Sequence, residues 1–221
     1  YGCKTAYNSI VGGGKNACIL HYVENNQPLN AGDLVLIDAG AELNHYAADI
    51  TRTFPVNGRF SEPQAALYQL VLDAQLAAIK VMRVGQHCKA YHEVAVRVLT
   101  EGLVRLGLLT GEPAELIESG AYRRFYMHGT GHWLGMDVHD VGSYKDAVGE
   151  QWRPLQAGMV LTVEPGLYVA ADDATVDAKW RGIGIRIEDD ILITEDAPEV
   201  LTAGVPKSIA AIEQLMQRSV A

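Results

Sequence analysis

Four acids interrupt strands that are otherwise apolar: Asp38 in LVLIDAG, Asp49 in AADITRTFPV, Glu164 in GMVLTVEPG and Glu188 in RGIGIRIEDD. An ionised carboxylate in such a strand loses its water and costs several kcal/mol unless something positive meets it. A salt bridge explains any one of them; four together ask for cations. Three of the seven histidines, His128, His132 and His139, fall in the single stretch FYMHGTGHWLGMDVHDVG. Its glycines let backbone and ligand approach closely, so the stretch reads as a site. Four carboxylates with one neutral imidazole balance two divalent cations, whereas one cation would leave two charges uncompensated. Ligation dominated by oxygen with a single histidine suits Mn²⁺ better than a thiolate-seeking ion, and Zn²⁺, Fe²⁺ and Co²⁺ share these donors. A pair of cations roughly 3.5 to 4 Å apart would share and deprotonate one water, giving a hydroxide nucleophile, and would hold the oxyanion of an attacked amide.

The elements that must position these groups begin with a hairpin over residues 33 to 56. Val35, Leu36 and Ile37 form one apolar run, Asn44-His45 interrupts, and Ile50, Thr51, Thr53 and Phe54 resume it. With Asn44 and His45 as the turn, Asp49 faces Gly40 and Asp38 is its diagonal neighbour on the same face, roughly 7 to 8 Å away at the backbone. Glu164 ends a strand cut off by Pro165-Gly166. Ile183, Ile185 and Ile187 alternate with Gly184, Arg186 and Glu188, so one strand face is core and the other carries a cation and an acid.

The rest of the chain is scaffold. Residues 5 to 23 read as a strand, a loop and a second strand around Gly12-Gly13-Gly14-Lys15, which lacks the first glycine and the Ser or Thr of a phosphate loop. On residue type alone, His21 is a half-buried strand histidine. Ser61 and Gln64 have capping-box spacing, with Pro63 in the first turn of a helix whose Leu67, Leu70, Val71, Ala74, Ala78 and Val81 share a face. Gly85 closes that segment, and a second helix runs from about Ala90 to Leu106. His87, Cys88 and His92 at its start lack a carboxylate in register and read as a solvated helix end rather than a metal site. Residues 111 to 120 form a polar connector between two halves, approximately 1–110 and 111–221. The tail from Pro206 to Val220 reads as an amphipathic helix with Ile209, Ile212, Leu215 and Met216 inward.

With 221 residues and 48% hydrophobic content the chain can bury a substantial core. No apolar run reaches the length of about 18 residues that spans a membrane. A net charge of −9 argues against a nucleic-acid partner and favours a cationic or amine-bearing substrate. The three cysteines, Cys3, Cys18 and Cys88, are odd in number and without metal spacing, which points to free thiols in a reducing compartment, the cytoplasm. The opening Tyr-Gly-Cys suggests a piece of a longer protein.

The motifs IDAG with Asp38, AADITRTFPVNG with Asp49, HGTGHWLGMDVHDVG with His132, LTVEPGLY with Glu164 and GIGIRIEDDILIT with Glu188 resemble those of the pita-bread-fold metallopeptidases. Within that superfamily they most resemble bacterial aminopeptidase P, the Xaa-Pro aminopeptidases. The resemblance runs over nearly the whole chain and implies an α+β fold of two αβα halves with pseudo-twofold symmetry around a curved antiparallel sheet. It implies that Asp38 chelates one of two metals, that Asp49 and Glu188 bridge both, and that His132 and Glu164 complete the other. Glu164 would also shuttle the proton from water to the leaving nitrogen. By motif position His139 would contact the substrate carbonyl, and His128 and His21 would line the pocket around the scissile bond and proline, reversing the bland reading of His21. Arg186 would orient Glu188, with Tyr168 as a further candidate beside it and for substrate contact. The implied activity is hydrolysis of the N-terminal Xaa-Pro bond of peptides by a Mn²⁺-dependent enzyme, homo-oligomeric at full length. The alternatives are an Xaa-Pro dipeptidase, which could also hydrolyse organophosphate esters, and a non-catalytic peptide-binding relative. Methionine aminopeptidase fits the VHDVG and IRIEDD contexts less well. The N-terminal domain of that family is expected to be missing from this chain, leaving residues 1–221 as a single catalytic domain.

Overall fold

The computed structural model describes residues 1–218. Its first half is built on a long hairpin. β1 (Lys4–Thr5) and β2 (Ile10–Gly13) precede it, and β3 (Leu34–Asp38), β4 (Ala41–Leu43), β5 (Tyr46–Ala47) and β6 (Thr51–Pro55) form it. Asn44 and His45 take φ of 52° and 65°, the left-handed pair that a two-residue turn between twisted strands needs. The register runs from Leu34 opposite Pro55 to Asp38 opposite Thr51 and resumes with Glu42 opposite Ala47, as the turn position requires. Between these two ladders Gly40 backs directly onto the Ala48 carbonyl, where a Cβ would lie 1.7 Å from the oxygen. The second strand expected before residue 23 does not form. Residues Gly14–Cys18 close a 3-10 turn instead, because Gly12 lies against the backbone of Asn16 and Ala17 with room for no side chain.

Two helices cover the sheet. α1 (Glu62–Val81) starts at the reciprocal Ser61–Gln64 cap, and α2 (Ala90–Arg105) packs antiparallel to it. Leu67, Leu70, Val71, Leu99 and Leu103 meet Leu167, Ile185 and Ile187 in one buried cluster, so the helix faces and the sheet share a core. The connector expected over 111–120 holds a short helix of its own, α3 (Pro113–Glu118), begun by a proline at its first position, where no amide hydrogen is needed.

The second half repeats the hairpin logic. β7 (Val160–Val163) and β8 (Gly166–Tyr168) are one strand interrupted at Glu164-Pro165, and β9 (Gly184–Arg186) and β10 (Asp189–Leu192) are its partner, interrupted at Ile187-Glu188. Gly166 pairs with Arg186 and Val163 with Asp189, so a single register crosses the break and sets Glu164 opposite Glu188. The Glu188 amide donates to the Thr51 carbonyl at 3.1 Å, which joins the two halves edge to edge. β11 (Glu199–Val200) flanks β10, and α4 (Ile209–Arg218) follows. Within α4, Ile212 is buried but Leu215 is 49% exposed, contrary to the expected inward face. The expected end of that helix at Val220 lies outside the described residues. Antiparallel sheets carrying the acids, with helices packed over them, make this the pita-bread fold that the motifs implied.

Candidate metal centre

Where the two hairpins meet, Asp38, Asp49, His132, Glu164, Arg186 and Glu188 line a cavity of about 350 Å³. Asp38 closes β3 and Asp49 stands two residues before β6, so the bend at Gly40 turns both carboxylates inward. A tyrosine absent from every sequence expectation sits between them. The Tyr7 hydroxyl lies 2.5 Å from Asp38 Oδ1 and 2.5 Å from Asp49 Oδ1. Asp190 accepts the Asp49 amide hydrogen at 3.1 Å. His132 Nδ1 lies 2.9 Å from the Trp133 carbonyl, which turns Nε2 to within 3.4 Å of Asp49 Oδ2 and 3.7 Å of Glu164 Oε1. Thr51 donates its hydroxyl hydrogen to Glu188 Oε2 at 2.6 Å.

Burial and mutual repulsion govern the charges. Burial, with some relief from Arg186 and His132, pushes Glu164 up to about 7. Burial and the neighbouring Asp49 hold Glu188 well above the usual carboxylate range. Burial would raise Asp49 too, but hydrogen bonds from His132 and Tyr7 overcome it and leave Asp49 low. Burial works against a charge on His132, and Asp49, the Trp133 carbonyl and Glu164 more than reverse that. Burial pushes His128 down to about 4, so it is a neutral ring at physiological pH.

All ten residues singled out from the sequence reach this region, with differences in contact. Asp49, His132 and Glu188 offer donor atoms that lie within 4.8 Å of one another. Asp38 and Glu164 line the same cavity but stand outside that tight group. Asp38 Oδ2 is drawn 2.6 Å from Arg186 Nη2, and Glu164 Oε2 is 3.7 Å from His128 Nδ1. The expected pairing of Arg186 with Glu188 is therefore indirect. Arg186 binds Asp38 itself and reaches Glu188 only through Thr51, whose hydroxyl accepts from Arg186 Nε at 3.2 Å. Tyr168 is buried, and its hydroxyl lies 2.8 Å from His128 Nε2 and 3.2 Å from Arg186 Nη1. His139 is exposed and stands edge-on to His132 with ring centroids 4.3 Å apart, and His21 is exposed at the rim beside Leu20. His87, Cys88 and His92 form no ligand group among the described residues, and His92 Nδ1 instead meets Thr130 Oγ1 at 2.8 Å. Tyr7, Thr51 and Asp190 escaped sequence reasoning. Only Thr51 carried a signal, as the register partner of Asp38 on the inward face.

The donor set is carboxylate oxygen plus one imidazole, several of the acids being held at high pKa by burial and then by each other, and this fits hard or borderline divalent cations. The profile of Metallopeptidase family M24 matches residues 1–195. The chain is 59% identical over 211 residues to the Xaa-Pro aminopeptidase of Haemophilus influenzae, covering 96% of this chain and 48% of that protein. To the Xaa-Pro aminopeptidase of Escherichia coli it is 54% identical over 211 residues, covering 96% and 47%. Among solved structures, aminopeptidase PepP of Pseudomonas aeruginosa superposes with a TM-score of 0.97 at 59% identity, covering 99% of this chain and 49% of that one. A glutamate-to-alanine variant of Escherichia coli aminopeptidase P in complex with substrate superposes with a TM-score of 0.93 at 52% identity, covering 97% and 48%. The chain thus spans about half the length of the curated relatives it matches.

Proposed function

Because the chain belongs to Metallopeptidase family M24, we propose that it is the catalytic domain of an Xaa-Pro aminopeptidase, releasing the first residue of peptides whose second residue is proline. The observation that carries this reading is the convergence of Asp49, His132 and Glu188 on one point of a cavity that Asp38 and Glu164 also line. We assign these five residues as ligands of two divalent cations, Mn²⁺ first, which when bound supply an activated water and an electrophile for the scissile carbonyl.

The chain's own residues do the rest. Glu164, which faces the cavity beside His132 and His128, accepts a proton from the attacking water and returns it to the leaving nitrogen. A peptide nitrogen must gain a proton to leave as an amine rather than as an amide anion, and for proline, which carries no hydrogen there, this proton is the only one it receives before departure. His139, exposed and edge-on to His132, donates to the substrate carbonyl in this reading. His128 is neutral and fixed by Tyr168, and with His21 it forms a wall for the proline ring. Arg186 and Tyr168 hold that wall against Asp38. Residues 1–221 act as one catalytic domain, and the full-length protein is cytoplasmic and homo-oligomeric in this reading.

Metal-loaded protein incubated with Xaa-Pro-Yaa tripeptides and Xaa-Pro dipeptides tests it. Release of the first residue from tripeptides supports the assignment, and cleavage of dipeptides alone makes the protein a dipeptidase. A sample that takes up no divalent ion and is unchanged by Asp49→Asn would be a non-catalytic relative.

A further inference from the structure

Beside the cavity lies a buried ionic cage, two of whose members, Arg52 and Asp189, fall within the ligand motifs without being among the assigned ligands. Its centre is Asp189, fully buried. Oδ1 accepts from Arg52 Nη2 at 2.7 Å and from the Thr202 hydroxyl at 2.6 Å, and Oδ2 accepts from Lys207 Nζ at 2.6 Å and from Gln75 Nε2 at 2.9 Å. One acid thus meets two cations, and both of its oxygens are doubly satisfied.

The partners of this cage reach the backbone of the metal-site acids. Arg52 Nη1 donates to the Glu188 carbonyl at 2.5 Å and to the Thr51 carbonyl at 2.9 Å. Nη2 also donates to the Val205 carbonyl at 2.9 Å and Nε to the Pro206 carbonyl at 3.1 Å. All five guanidinium N–H groups are therefore used. Gln75, from the middle of α1, shares its two amide hydrogens among three acceptors: besides Asp189, Nε2 lies 3.3 Å from the carbonyls of both Val163 and Ile187, the residues immediately before Glu164 and Glu188. The Gln75 side-chain carbonyl accepts from Lys207 at 2.9 Å.

We propose that Arg52, Gln75, Asp189, Thr202 and Lys207 form a positioning cage that fixes the opposed Glu164 and Glu188 for metal binding, clamped from behind by the segment 202–207. Glu164 and Glu188 stand at strand interruptions, where the sheet ladder alone leaves the backbone least constrained, and there the cage takes hold. The segment that closes it lies beyond residue 195, where the family match ends. This inference rests on the reading of the two glutamates as ligands, and its test reads metal affinity rather than turnover.

Mn²⁺ binding to metal-stripped protein is followed by titration calorimetry, alongside thermal unfolding. Lys207→Met weakens binding by about tenfold, as removal of outer partners does at other metal sites. Thr202→Val, which removes one bond and disturbs packing little, weakens it by about threefold, a smaller share of the same effect. Lys207→Arg restores much of the loss. Leu99→Ala, a core truncation remote from the cage, serves as the comparison: it lowers the unfolding temperature and leaves affinity unchanged. If both cage variants bind as tightly as the unaltered protein, or if Leu99→Ala loses affinity in proportion to its unfolding temperature, the cage is structural only and the proposal is overturned. If the unaltered protein itself binds no Mn²⁺, the ligand reading fails and the cage proposal falls with it.

Discussion

At the scale of single residues, the site is a problem of like charges held close. Tyr7 answers part of it by placing one hydroxyl hydrogen between two acids, and no local pattern announces it, since 31 residues separate it from Asp38. Tyr7→Phe leaves the facing oxygens of Asp38 and Asp49 without that donor. Metal-stripped protein carrying it should unfold at lower denaturant concentration, with a loss of about 1–3 kcal/mol. An unchanged midpoint would show that the contact contributes nothing. The division of roles among the acids and histidines has its own test. Glu188→Ala should reduce both metal stoichiometry and turnover, whereas His139→Ala should keep its metal and lower the rate by about 10²- to 10³-fold, as removal of an oxyanion donor does. Equal metal loss in the two variants would show the division to be wrong.

At the scale of elements, the two hairpins were legible to different depths. Asn44-His45 gave the first its turn, the turn gave its register, and the register placed Asp38 and Asp49 on one face; each step is local, and each is found. The acids stood out because an ionisable group in an apolar strand contradicts its surroundings. The tight bend at Gly40 was not legible, because it depends on the carbonyl of Ala48 across the hairpin. Neither was the 3-10 turn over Gly14–Cys18, where glycines that could extend instead fold back. The joint hold of Arg52 and Lys207 on Asp189 was not legible either, since the acid lies 137 residues from the one and 18 from the other. Gly40→Ala drives a Cβ into backbone that has no side chain to move aside. Its cost should exceed the about 1–3 kcal/mol of ordinary overpacking, measurable as a lowered denaturation midpoint. Full stability in that variant would mean that the strands separate at the bend without penalty.

Across the whole molecule, the buried acids set how stability answers to pH. Glu164 and Asp190 are each pushed up to about 7, chiefly by burial, and Asp38 and Glu188 are raised as well. An acid whose pKa is higher folded than unfolded binds its proton more tightly in the native state. The stability this gives is fully present below the ordinary carboxylate value of about 4 and is lost as pH rises through about 7. Metal-stripped protein should therefore melt at progressively lower temperature between pH 5 and 8, over and above any trend in a Glu164→Gln, Asp190→Asn variant. Saturating Mn²⁺ should remove or invert that slope, because cations favour the ionised acids. A flat melting profile without metal would show that the acids are not protonated in the fold. The cage around Asp189 also bears on the order of assembly. Its members come from β6, α1, β10 and finally Lys207, so it cannot close until the last of them has left the ribosome. Contacts of such long sequence separation form late in folding. On the cage proposal, metal acquisition then waits for one segment: a nascent chain carries every proposed ligand once Glu188 is made, yet holds two of them firmly only once residues 202–207 have docked.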